Sequence, residues 1–271
     1  MSLVLVLFGL AMALCLAMAA AWYIAERTGN HGFVDTIWSF ATAGTSVAGA
    51  LIPLGAGTSG PRQMLVAALA ALWGGRLGVH VLRRTLEARD DPRYAALRRD
   101  WGDQASLQLF WFVQIQALAA FVLVVAVMAA AHRPWSGWRI GDGLGLVLAL
   151  SAVLGVGLAD QQLARFRKDP AHRGRICDRG LWGMTRHPNY FFEWLGWLAY
   201  PVIAIDLSLD YLLGFTALGA PVLIYVLLVH VSGIPPTEAH MLRTRGASFR
   251  AYQRRVNAFW PGCARRTGDG Y

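Results

Sequence analysis

The chain has 271 residues, of which 56% are apolar and 15% charged, and its mean hydropathy is +0.41. That balance excludes a soluble enzyme and a disordered chain, because several apolar runs reach the ~20 residues that cross a bilayer. The net charge of +9 is no nucleic-acid signature, since its arginines gather in the segments between apolar runs; Cys15, Cys177 and Cys263 are too scattered for a disulfide framework or a metal site.

Seven apolar runs are expected to span the membrane, at about 2–24, 34–54, 63–84, 107–130, 143–164, 188–206 and 212–232. The first resembles a signal peptide near Ala-Met-Ala-Ala, but no Lys or Arg precedes it and it is long for the apolar part of one, so it is read as a retained helix. Asp35 and Trp38 begin the second run. Arg76, His80, Arg83 or Arg84, and Glu87 recur at helical spacing on the third. Gln114 and Gln116 lie early in the fourth, and Asp160 lies near the end of the fifth, with Arg167 two turns further on. Asn189, Glu193 and Trp197 share one face of the sixth. The expected fold class is all-α, a polytopic bundle forming one transmembrane domain over 1–271.

Arginine placement gives the orientation. Arg83, Arg84, Arg89, Arg93, Arg98 and Arg99 follow the third run. Arg165, Arg167, Lys168, Arg173, Arg175, Arg179 and Arg186 fill the segment after the fifth, and seven more arginines, from Arg243 to Arg266, lie in the tail. The opposite loops hold Arg62, Arg133 and Arg139. Positive-inside reasoning places the N-terminus outside and the C-terminus in the cytoplasm. Trp22, Trp111, Trp135 and Trp138 fall near span ends, as an aromatic belt does.

The most informative stretch runs from Asp178 to Trp197. Gly180 lets the chain turn, and Pro188 suits a first helical position, where no N–H is needed. Arg186, His187, Pro188 and Asn189 then ring a helix N-terminus, whose amides and dipole favour anions. A central unpaired carboxylate costs roughly 2.5–3.5 kcal/mol or more in hydrocarbon, so Glu193 reads as a binding group with a partner. Polar positions on five runs converge on the cytoplasmic side. Guanidiniums, acids and aromatic rings there suit a large anionic cofactor, with an apolar substrate arriving from the bilayer. Structural roles compete for each group: an Asp160–Arg167 packing pair, a snorkelling Arg76, a satisfied His80. No P-loop, HExxH or Ser/His/Asp set is present, and Gly141-Asp-Gly-Leu-Gly lacks the strand–turn–helix context of a dinucleotide fold.

Several motifs together resemble the steroid 5-alpha-reductase superfamily, and more closely its bacterial, DUF1295-like branch of membrane proteins. They are Asp160-x6-Arg167-Lys168, Arg179-Gly-Leu-Trp182, Arg186-His-Pro-Asn-Tyr-x-x-Glu-Trp194, Glu238, Tyr252 and Asn257-Ala-Phe-Trp-Pro261, over about 110 residues. Upstream, Asp35-x-x-Trp38 and Asp91-x-Arg-Tyr94 look like that branch too. The resemblance implies a bacterial inner-membrane reductase that binds NADPH on the cytoplasmic side through residues 143–261 and holds its substrate among helices of 1–130. Its cofactor pattern falls on Asp160, Arg167, Arg175, Arg179, Arg186, His187, Asn189, Tyr190, Glu193, Trp197, Glu238 and Tyr252. The reaction implied is reduction of a carbon–carbon double bond conjugated to a carbonyl. Steroid-reducing members polarise the ketone with a Gln-Glu pair and a partnered tyrosine. That Gln-Glu pair is absent here, leaving Asp35 as the acid and Tyr94 as the phenol, with Arg76 and His80 as further candidate donors.

Arg-His-Pro-x-Tyr followed by a distant Glu and Tyr also resembles the isoprenylcysteine and phospholipid methyltransferases, which use S-adenosylmethionine. Glu193 three residues after Tyr190 and the arginine excess favour the reductase. A lipid-binding or transport-like protein is the non-enzyme alternative, because intramembrane charge also marks transport pathways. No inverted repeat is apparent.

Overall fold

The computed structural model describes residues 2–54, 60–87, 90–134 and 137–263. Trp135, Arg89, Arg265 and Arg266 therefore lie outside the described residues. Secondary structure among the described residues is helical: α1 Leu3–Thr28, α2 Gly32–Leu51, α3 Pro61–Glu87, α4 Pro92–Trp101, α5 Ala105–Ala131, α6 Ile140–Lys168, α7 Leu181–Met184, α8 Pro188–Trp197, α9 Ala199–Ala204, α10 Gly219–Val226 and α11 Ile234–Arg255. A 3-10 turn at Leu212–Leu218 leads into α10, and a π-helical turn at Leu227–Val231 joins α10 to α11.

Among the described residues, five helical stretches are long and apolar enough to cross a membrane: Leu3–Thr28, Pro61–Glu87, Pro92–Ala131, Ile140–Lys168 and Leu212–Arg255. That is fewer than the seven expected, for two reasons. Helix α2 carries Asp35 and a series of Thr, Ser and Gly residues, so it is not among the five. The run at 188–206 is divided at Leu198 into two short helices, α8 and α9.

The chain forms two compact units, residues 1–142 with 200–220, and residues 143–199 with 221–271.

In the first unit α2 lies against α1, α3 and α5. Three of its hydroxyls are hidden from the apolar surroundings by bonding back one turn: Thr36 donates to the Gly32 carbonyl at 3.2 Å, Ser39 to Asp35 at 2.8 Å and Thr42 to Trp38 at 2.7 Å. This is how a helix of modest hydropathy is buried. Close packing with α3 depends on glycine, since a Cβ at Gly74 would sit 2.0 Å from the Ala43 Cβ. Contacts at Gly74–Ala43, Gly78–Phe40 and Gly32–Thr85 make α2 and α3 antiparallel. Trp22 donates to the Ser106 carbonyl at 3.0 Å and Gln114 to the Cys15 carbonyl at 3.4 Å, so α1 runs antiparallel to α5. Trp22 thus faces α5 rather than a lipid headgroup, while Trp111 and Trp138 are exposed.

The end of this unit where α3 and α6 begin is held by a buried ion-pair lattice. Arg62 and Asp142, each 2% exposed, bond bidentately at 2.7 and 2.9 Å. Arg62 also donates to the carbonyls of Arg133, Pro134 and Gly137. Its charge is therefore fully compensated, the condition for burying it.

In the second unit the α6 backbone and side chains receive the segment after Gly180. Gly180 takes φ 59, a left-handed conformation, as its place at a turn required. Leu181 N then donates to Gln162 Oε1 at 3.0 Å and Trp182 to the Ala159 carbonyl at 2.9 Å. Gly155 accommodates the Phe192 ring and Gly196 the Ala152 methyl, so α8 lies close along α6. Phe191, Trp194, Tyr225, Phe259 and Trp260 form an edge-to-face aromatic cluster between α8, α10 and the tail.

Candidate functional site

Two polar groups stand out, one in each unit. In the first, Asp35 enters on the first turn of α2, Tyr94 on α4 and Gln116 on α5. Tyr94 donates its hydroxyl to Asp35 Oδ1 at 2.8 Å and accepts from Gln116 Nε2 at 3.1 Å. Its ring is 4% exposed, lying against Phe112 and His31. The other Asp35 oxygen accepts from Arg93 Nη2 at 2.5 Å and lies 3.6 Å from Arg84. Both arginines also bind Asp91, which caps α4 by accepting from Arg93 N at 2.9 Å. Burial pushes the Asp91 carboxyl up, but its bonds to Arg93 and the nearby Arg84 outweigh that and hold it below the usual carboxylate range.

Asp35 and Tyr94 were expected to act together, and the fold brings them together. It does not bring Arg76 and His80 to them. The face of α3 that packs inward carries Gly74, Gly78, Val81 and Thr85, leaving His80 exposed and Arg76 half-buried. Arg84, a turn beyond His80, is the α3 cation that reaches Asp35. Gln116 and Arg93 were not among the candidate residues. Gln116 was legible only as an early polar position in its run, and Arg93 only as the middle of Asp91-x-Arg-Tyr94.

In the second unit Pro188 opens α8, as expected, with His187 as its cap residue. Arg186 forks onto Glu238 at 2.7 and 3.1 Å and donates to the carbonyls of Gln253 and Val256. His187 Nε2 lies 3.0 Å from Glu238 Oε1, and Gln253 donates to Oε2 at 2.7 Å. Tyr252 donates to the Trp182 carbonyl at 2.5 Å, and Thr185 to those of Ala258 and Phe259. Arg186, His187, Glu238 and Tyr252 thus already have protein partners; they lock the tail onto the loop that precedes α8. Tyr190 stacks on His187 with centroids 5.2 Å apart and meets Thr237 at 3.3 Å.

The remaining expected cofactor residues are differently placed. Arg167, Arg175 and Arg179 are exposed, Asp160 and Glu193 are half-buried, and Trp197 is buried. Asn189, on the first turn of α8, has a buried Oδ1 with no hydrogen-bond donor among the described residues. Among the described residues no group of His, Cys, Asp and Glu could hold a metal ion.

A family model described as a protein of unknown function (DUF1295) matches residues 21–256. An uncharacterized protein of Schizosaccharomyces pombe is 26% identical over 268 residues, covering 89% of this chain and 75% of that relative. No solved structure matches. With the family model spanning most of its length, the chain belongs to the DUF1295 family.

Proposed function

We propose that the chain is an integral-membrane reductase that uses NADPH to saturate a carbon–carbon double bond conjugated to a carbonyl in an apolar, lipid-like or steroid-like substrate. The observation that carries this reading is the Asp35–Tyr94–Gln116 group, where three helices bring a phenol, a carboxylate and an amide to one point. In this reading seven segments cross the membrane. α2 is enclosed by its neighbours, α8 and α9 form one broken crossing, the N-terminus is outside and the C-terminus cytoplasmic, as the loop arginines suggest. A bacterial inner membrane and the superfamily resemblance fit the same account.

The second unit's donor set fits the cofactor. The lone buried acceptor of Asn189 suits an amide N–H of the kind a carboxamide presents. Arg167, Arg175 and Arg179 offer exposed guanidiniums to phosphates, and the half-buried carboxylates of Asp160 and Glu193 belong to the same expected cofactor set. Arg186, His187, Glu238 and Tyr252 hold the backbone ahead of Asn189 and Tyr190, with Trp197 on the same face as Asn189 and Glu193. When bound, NADPH supplies the hydride that the β-carbon of the substrate accepts.

The first unit handles the charge that then develops on the carbonyl oxygen, whose stabilisation is usually the largest catalytic contribution. Gln116 orients the Tyr94 hydroxyl, and Arg93 holds Asp35 in place. In this reading the Tyr94 hydrogen turns from Asp35, which Arg93 keeps beside it, to the carbonyl oxygen of the substrate. Proton transfer from Tyr94 leaves an enol, which tautomerises, and Tyr94 recovers its proton from solvent through Asp35. The direct test is reduction of a conjugated enone by the purified protein in lipid, followed as NADPH-dependent saturation by mass spectrometry. Absence of product across steroid, fatty acyl and isoprenoid enones, with methyl transfer from S-adenosylmethionine instead, overturns the reading.

A further inference from the structure

The loop between α9 and the 3-10 turn is clamped at its base and apolar at its tip. Arg133 donates to Asp206 at 2.7 Å, and Arg139 donates to the same carboxylate. Tyr211 donates its hydroxyl to the Ala129 carbonyl at 3.1 Å, and a Cβ at Gly214 would sit 2.4 Å from the Ala204 carbonyl oxygen. Within the loop, several polar groups bond one another. Ser208 N donates to Asp206 Oδ1 at 3.2 Å, the Ser208 hydroxyl to Asp210 at 2.7 Å, and Leu209 N to the Asp206 carbonyl at 3.1 Å.

What faces outward is leucine. Leu207 is 91% exposed and Leu209 58%, the latter held at φ 64, a left-handed conformation that disfavours residues with a Cβ. Trp138 and Ile140, which flank the Arg139 that grips Asp206, are also exposed, as are Leu212 and Leu213. The loop sits where α5 ends and α6 begins, and Leu212 opens the helical stretch to Arg255 that is apolar enough to cross a membrane. A loop whose Asp206 is ion-paired and whose turn is bonded internally can lie at the edge of a water-poor layer, and exposed apolar side chains supply the drive.

We propose that residues 205–213 form an interfacial anchor, seating Leu207 and Leu209 among the lipid chains just beneath the headgroups at this end of the bundle. Arg139 and Trp138 then lie at headgroup level, where long cationic and indole side chains are favoured. The pairing of Asp206 with two arginines removes one charge that would hold the loop in water, and the exposed Asp210 stays at headgroup level. This inference rests on the membrane-spanning reading above.

The test uses the full chain with Cys15, Cys177 and Cys263 replaced by alanine, carrying one nitroxide on a cysteine placed at 207 or 209 and reconstituted in phosphatidylcholine vesicles. A label at Leu118, exposed midway along α5, reports the membrane reading, and one at Asp100 reports an aqueous position. Relaxation by oxygen relative to a water-soluble nickel chelate should be several-fold higher at 207 and 209 than at 100, and high at 118. If the chelate prevails at 207 and 209 while 118 remains oxygen-accessible, the anchor is overturned and the membrane reading stands. If the chelate prevails at 118 as well, both are overturned. Shielding of 207 and 209 from both reagents means a protein covers the tip, and lipid is the wrong occupant.

Discussion

Tyr94 donates its phenolic hydrogen to Asp35 at 2.8 Å although the two residues are 59 positions apart in sequence. Gln116 donates to the same phenol oxygen, and Arg93 holds the far oxygen of Asp35. The phenol is thereby fixed in direction as well as position. Such preorganisation is what a developing oxyanion requires, because no reorganisation is then needed as charge appears.

Tyr94→Phe should lower turnover on a working enone by about 100-fold or more, the usual scale for losing a positioned proton donor. NADPH affinity should be unchanged, since the lost contact is made mainly in the transition state. Gln116→Ala should give a smaller loss of the same kind. Steady-state kinetics beside equilibrium NADPH titration check this. Full activity in Tyr94→Phe removes Tyr94 from the mechanism.

The Asp91 cap gives a pH dependence whose sign is fixed. Its carboxyl is held below its ordinary value of 3.8, so the stability it adds is present above that value and is lost as pH falls through the lowered one. Asp91→Asn, which keeps a capping oxygen and removes the charge, should melt lower than the parent at neutral pH, by an amount matching about 0.3–1 kcal/mol for a charge at a helix N-terminus. The gap should close as pH drops below the ordinary carboxylate range. A gap that persists in acid shows that the charge of Asp91 is not what stabilises the start of α4.

Arg62 and Asp142 make the most buried ion pair described, and one partner alone should be worse than neither. Arg62→Met should destabilise the fold by roughly 3–5 kcal/mol, because Asp142 keeps an uncompensated charge. Arg62→Met with Asp142→Leu should recover much of that loss. Thermal unfolding in a fixed detergent compares them; equal loss in single and double variants contradicts the argument.

Glu238→Gln removes the charge that Arg186, His187 and Gln253 converge upon. Charge-assisted hydrogen bonds contribute about 1.5–3 kcal/mol, so this variant should unfold earlier. It should also expose the tail to protease, because Val256 and Asn257 are joined to Arg186. A digestion pattern identical to the parent's means that Thr185 and Tyr252 hold the tail without Glu238.

The sequence revealed what hydropathy and helix punctuation control. Pro188 and Gly180 fell where the backbone needed them, and the apolar runs expected at about 2–24, 63–84, 107–130 and 143–164 became the long helices Leu3–Thr28, Pro61–Glu87, Ala105–Ala131 and Ile140–Lys168. It did not reveal that α2 would be enclosed, because hydroxyls bonding back to their own helix look polar in a hydropathy sum. Nor does a hydropathy sum show the break at Leu198, although Gly196 and Pro201 flank it and Pro201 has no N–H to give the Trp197 carbonyl. In the site, Asp35 and Tyr94 were visible through short motifs. Gln116 was invisible as a partner because its role depends on how α4 lies against α5, a long-range contact with no local pattern. Arg186 and Glu238 were visible as site residues, while their mutual bonding was not.

Binding of the two candidate cofactors to the purified protein tests the central claim most directly. Isothermal titration in lipid nanodiscs should show NADPH binding and no comparable S-adenosylmethionine binding, because exposed guanidiniums at Arg167, Arg175 and Arg179 match a cofactor with several phosphates. Asn189→Ala and Glu193→Gln should each weaken NADPH at least several-fold while the fold is retained. Tight S-adenosylmethionine binding with none for NADPH contradicts the account in favour of a methyltransferase, and silence for both contradicts it in favour of a non-enzymatic lipid-binding protein.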